Sequence, residues 1–149
     1  MIGVDFNPGV IGWAYCDRDG NLQDKGQIRI NLKDRSSQQV KATLGDVSKK
    51  LVDIASHYKC PITIEDLDFD KKKASMKESG VRYSRMLSCF AYNAFGEILS
   101  SRCSSWGIEL IKVNPAYSFL IGLVKFMRLY GLSSDTAAAL VLARRELRS

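Results

Sequence analysis

Ile2-Gly3-Val4-Asp5-Phe6-Asn7-Pro8-Gly9-Val10-Ile11-Gly12-Trp13-Ala14-Tyr15-Cys16 is the stretch on which the fold turns. Residues 2–6 are apolar around one carboxylate and read as a buried strand. Asn7-Pro8-Gly9 makes a turn, because Pro fixes its own φ and Gly accepts what other residues refuse. Residues 10–16 carry Val, Ile, Trp and Tyr, side chains that suit a pleated, half-buried surface. A second turn, Asp17-Arg18-Asp19-Gly20-Asn21, leads to a third strand over 23–30. Two short turns joining three strands predict an antiparallel meander.

The period then changes. Val40, Leu44, Val47, Leu51 and Ile54 recur at three and four, which places them on one face of a helix over 36–58. Pro61 interrupts it, and Ile62-Thr63-Ile64-Glu65 is a short β-branched strand. A strand, a crossover helix and a strand predict parallel pairing within one sheet. Residues 68–81 are polar and read as a loop, 82–105 as a long helix and 108–113 as a strand. A helix over 116–130 ends at Gly131, and a last one starts at Ser133-Ser134-Asp135, an N-cap signal. The order βββαβαβαα predicts an α/β chain with a five-stranded mixed sheet, three strands antiparallel and the rest parallel, flanked by helices. That is the layout of RNase H-like domains.

The 149 residues suit one domain over 1–149, and a buried strand so near the start suggests a fragment of a longer protein. The net charge of +6 favours a polyanionic partner. No apolar run approaches the roughly 20 residues that cross a bilayer. Cys16, Cys60, Cys89 and Cys103 form no Cys-x-x-Cys pair, which argues against a zinc ribbon and for reduced thiols in the cytoplasm.

Three acids stand out. Asp5 lies within an apolar strand, Glu65 closes another, and Asp135 opens a helix whose body, Ala137 to Leu142, must pack on something apolar. A carboxylate in such a strand is costly unless it is paired, hydrogen-bonded or bound to a metal. If the first and fourth strands are neighbours, Asp5 and Glu65 lie side by side, and the last helix can bring Asp135 across from them. Clustered carboxylates suit hard cations, two Mg²⁺ or Mn²⁺ ions able to clamp a phosphodiester. Each acid also has a plainer role available: turn amides near Asn7 and Gly9 for Asp5, a lysine for Glu65, the helix dipole for Asp135. Asp66 is an auxiliary candidate.

These residues resemble the RuvC-like nuclease domain of transposon-encoded TnpB proteins, relatives of the type V CRISPR effectors. Gly3-Val4-Asp5-Phe6-Asn7 with Ile11-Gly12-Trp13-Ala14 looks like the first motif of that family. Ile62-Thr63-Ile64-Glu65-Asp66-Leu67 is similar to the second, and Ser134-Asp135-Thr136-Ala137-Ala138-Ala139 to the third. Val113-Asn114-Pro115-Ala116-Tyr117-Ser118 resembles the segment between them. The resemblance implies catalytic, metal-holding Asp5, Glu65 and Asp135, a DNA substrate, Mg²⁺, and a guide RNA gripped by regions outside this sequence. Where that family has a four-cysteine zinc ribbon, this sequence has the helical segment 119–130.

Lys71, Lys72, Lys73, Lys77, Arg82 and Arg85 face only Asp70 and Glu78 within 70–85, a local charge of +4. They are candidate phosphate contacts, with a solvated loop as the plain alternative. Trp13 and Tyr15 read as core or sheet-face residues, as do Tyr83, Tyr92 and Tyr117, and His57 as a helix-end cap. A Holliday-junction resolvase of the RuvC type is the second nuclease reading, although the last helix offers no fourth acid beyond Glu146. A non-catalytic nucleic-acid-binding module is the third. An actin-like phosphotransferase needs a second glycine-rich phosphate loop, which is missing.

Overall fold

The computed structural model describes residues 1–7, 9–65 and 82–113, with the backbone alone over 82–88, and Thr136, Ala139, Leu140, Ala143 and Arg144. Three strands open the chain: β1 (Ile2–Phe6), β2 (Val10–Cys16) and β3 (Leu22–Arg29). Helix α1 (Ser37–Tyr58) leads to β4 (Ile62–Glu65), and helix α2 (Arg82–Ser105) to β5 (Leu110–Val113). The sheet order is β3-β2-β1-β4-β5. β1 pairs antiparallel with β2, and β2 with β3, while β4 runs parallel to both β1 and β5. The expected five-stranded mixed sheet is therefore present, with the first three strands antiparallel.

Local chemistry sets the boundaries. Ser36 caps α1: its hydroxyl accepts from the Gln39 amide, and the Gln39 side chain accepts from the Ser36 amide. β5 starts two residues later than the sequence suggests. Gly107, at φ 68°, closes α2, and the Ile108 amide is spent on the Cys103 carbonyl, 2.8 Å away. A residue engaged in ending a helix this way cannot also join the sheet ladder. The other end of the crossover helix is closed by Lys59 in the left-handed conformation rather than by His57. His57 is exposed and sets its ring edge-on to Tyr58. The loop read over 68–81 and the helix read over 116–130 lie outside the described residues.

Both helices cover one face of the sheet. Ile2, Val4, Ile11, Ile62 and Ile64 meet Val40, Leu44, Leu51 and Ala55 of α1 and Ala91, Phe95 and Leu99 of α2 in a single buried cluster. Each buried Val, Leu, Ile or Phe among them contributes about 1.5–3 kcal/mol through burial. Trp13 and Tyr15 pack against that cluster, as expected of sheet-face residues. Ala14, Cys16, Ala139, Leu140 and Ala143 are buried on the other face, where the last helical residues lie on β1. Among the described residues, no helix is long and apolar enough to cross a membrane.

Candidate functional site

Side chains alternate across a strand, so register decides which residues share a face. Ile2 and Val4 point into the helix-covered core. Gly3 and Asp5 therefore face the other way. On that face Gly3 lies opposite Ala14, and Asp5 opposite Gly12. Gly3 also lies beside Thr63, and Val4 beside Ile64. Continuing that parallel register by one residue sets Glu65 next to Asp5. Neighbouring strands run about 4.8 Å apart, so the two half-buried carboxylates start from adjacent backbone positions.

The packing beneath fixes this end of the sheet. Phe6 follows Asp5 and turns to the opposite face, where it stacks on Phe95 at 5.0 Å and meets Tyr92 edge-on at 5.7 Å. Asn7 locks the position from above. Its side-chain amide donates to Asp5 Oδ2 at 2.8 Å. Its backbone pairs both ways with Val10, at 3.2 and 3.3 Å. The turn-amide role weighed for Asp5 is thus filled by a side-chain amide, and it orients one carboxylate oxygen.

The last helical residues approach the same face. A methyl group on Gly3 would overlap the Ala139 carbonyl oxygen and stand 2.8 Å from the Ala143 amide nitrogen. Only glycine allows the helix backbone so near. Arg144 donates to the Gly20 carbonyl in the β2–β3 turn. That turn lies at the amino end of β1, where the Cys16 amide meets the Met1 carbonyl at 3.0 Å. The Arg144 side chain thus reaches the amino end of β1 while Ala139 and Ala143 lie against Gly3. Thr136 is buried.

The structure brings Asp5 and Glu65 together on one face. Asp135, the auxiliary Asp66, and Lys71, Lys72, Lys73 and Lys77 lie outside the described residues. Arg82 and Arg85 are placed in the first turn of α2 by their backbone only. Among the described residues, no three His, Cys, Asp or Glu side chains converge closely enough to hold an ion. Asp5 and Glu65, which share a face at adjacent strand ends, are oxygen donors of the kind a hard cation takes. Asn7 and Gly12 complete the site in ways the sequence signals weakly, through a polar residue two places after the acid and a glycine within a strand of bulky residues.

No family model and no curated protein matches this sequence. Solved structures do. Thermus thermophilus RuvC in complex with a Holliday junction substrate aligns at a TM-score of 0.66, over 96% of this chain and 90% of that one, with 11% identity. A second structure of Thermus thermophilus RuvC aligns at 0.59, over 96% and 91%, with 14% identity. At such identities the likeness establishes architecture: the chain has the RuvC, RNase H-like fold, a five-stranded mixed sheet flanked by helices.

Proposed function

We propose that this chain is a divalent-metal-dependent endonuclease domain acting on DNA, with Asp5, Glu65 and Asp135 as its metal-holding acids. The observation that carries the reading is that β1 and β4 pair in parallel in a register that sets Asp5 and Glu65 on one face at neighbouring strand ends of a RuvC-like sheet. Asp135 as the third acid is supported by the resemblance of Ser134-Asp135-Thr136-Ala137-Ala138-Ala139 to the third motif of the TnpB family, and by later helical residues that lie against β1 at Gly3. Two Mg²⁺ or Mn²⁺ ions bound there would activate water and stabilise the leaving oxygen of a phosphodiester. The chain's own groups do the holding. Asn7 fixes one oxygen of Asp5, and the Phe6–Phe95 stack keeps the strand end from shifting. Lys71, Lys72, Lys73, Lys77, Arg82 and Arg85, which follow Glu65 in sequence, are suited to phosphate contacts. Four free cysteines fit a reducing cytoplasm.

Two nuclease types share this site. The Glu65-Asp66-Leu67 and Asn114-Pro115-Ala116-Tyr117 segments favour a TnpB-like domain, 1–149 of a longer, transposon-associated and RNA-guided protein. The alignment with RuvC on its junction supports a Holliday-junction resolvase equally well.

Incubation with single-stranded, duplex and four-way-junction DNA, with Mg²⁺ or Mn²⁺ and with EDTA, tests both. Wild type cleaves only with metal, and Asp5→Ala and Glu65→Ala each lower the rate by about 100-fold or more, as loss of a group stabilising transition-state charge does. Cleavage indifferent to both substitutions defeats the assignment. Symmetric junction cutting by a dimer selects the resolvase, and its absence with linear DNA still cut selects the TnpB-like domain.

A further inference from the structure

The carboxylates do not stand alone on their face. Gly12, opposite Asp5, lies in turn opposite Gln27 of β3. Ala14, opposite Gly3, lies opposite Lys25, and Val10 opposite Arg29. Lys25, Gln27 and Arg29 therefore share the face of Asp5 and Glu65, and all three are exposed. Gly12, itself buried, is the strand residue between Gln27 and Asp5 on that rung. The separation is two strand spacings, about 10 Å. The Val10–Asn7 pair continues Arg29's rung to the residue whose amide holds Asp5.

The charge on this strip is of one sign. Two acids of the hairpin, Asp24 and Asp17, are engaged elsewhere. Asp24 lies on the opposite face, where it accepts from Tyr58 Oη at 2.6 Å. Asp17 is tied within its turn by the Asp19 and Asn21 amides and by the Gln23 side chain. Two long cations bracket a long amide over about 13 Å of strand, roughly the rise of four stacked nucleotides. A site built from clustered carboxylates repels a polyanion, so cations within reach of it are what lets a phosphate backbone approach.

We propose that Lys25, Gln27 and Arg29 of β3 form a track for the phosphate backbone of one DNA strand, on the face of the sheet that carries Asp5 and Glu65. This assignment rests on the nuclease reading for its direction, not for its chemistry. Lysine on an edge strand also discourages strand addition. A phosphate track predicts something that role does not, a salt-dependent loss of DNA affinity.

The test is fluorescence anisotropy of a labelled single-stranded DNA oligonucleotide with the full chain, in Ca²⁺, across a salt series. Lys25→Gln/Arg29→Gln should weaken binding about fivefold to tenfold, and lower the slope of log affinity against log salt by about 1.4 for two lost contacts. Lys41→Gln/Lys49→Gln, on exposed positions of α1 over the other face, should change neither. Equal binding by wild type and the β3 variant overturns the track. So does equal weakening by both pairs, or no binding by wild type. Metal-dependent cleavage of the same oligonucleotide by wild type is scored separately. Cleavage with an indifferent β3 variant sinks the track and spares the nuclease, and a weakened variant without wild-type cleavage does the reverse.

Discussion

Single residues decide how closely the layers approach. Gly3 is the tightest case, because backbone atoms of Ala139 and Ala143 occupy the space a Cβ would need. Backbone gives way less readily than a flexible side chain. Gly3→Ala should therefore destabilise the chain by about 3 kcal/mol or more, read as a lower urea midpoint. A stability loss within a few tenths of a kcal/mol would mean that the helix does not lie on β1 as described. Gly26 plays the related role on the core side of β3. A Cβ there would stand 2.5 Å from Nε1 of Trp13, whose indole covers the glycine. The acids follow a similar logic. Asp5 was legible as a site candidate because a carboxylate in an apolar strand needs a partner. Its contact with the Asn7 side chain was not, since a turn offers backbone and side-chain amides alike.

At the scale of elements, one contact ties the crossover helix to the hairpin. Tyr58, the last residue of α1, donates to Asp24 of β3 and stacks on Tyr15 of β2 at 4.0 Å. The hydrogen bond to Asp24 raises the Tyr58 pKa, with desolvation and the negative charge of Asp24 adding to it. The phenol donates only while protonated. The raised folded-state pKa means this contribution is complete below the pKa of a free tyrosine and is lost as pH climbs through the higher, folded value. Tyr58→Phe should thus lower the thermal midpoint at neutral pH, and the gap to wild type should close in strongly alkaline solution. A gap that stays constant across that range would show that ring packing, not the hydrogen bond, is what the substitution disturbs. The periodicity of Val40, Leu44, Val47 and Leu51 gave away α1 and its buried face. The start of β5 was hidden, because an Ile-Glu-Leu-Ile run does not reveal that its first amide closes the preceding helix.

For the whole molecule, Phe95 links stability to the site. It is buried among both helices and the sheet, and it carries Phe6 at the strand end that presents Asp5. Phe95→Ala should cost about 3–5 kcal/mol in denaturant unfolding. It should also reduce cleavage at temperatures where the chain stays folded. Reduced stability with an unchanged rate would separate the core from the positioning of Asp5.

The order of the elements from β1 to β5 was legible in the residues alone, because hydrophobic period and turn residues are local properties. So were the carboxylates that would be costly in isolation, Asp5 and Glu65, since each interrupts an apolar strand. That β4 lies against β1 rather than elsewhere in the sheet, and in what register, emerged only with the packed fold. A shift of one residue would have turned Glu65 into the core and broken the pair. The antiparallel registers of β1 with β2 and β2 with β3 placed Lys25, Gln27 and Arg29 on the acid face, a fact invisible in the sequence, where β3 reads only as an edge of alternating polarity. Which face a side chain takes depends on partners many residues away, and those partners are chosen by packing.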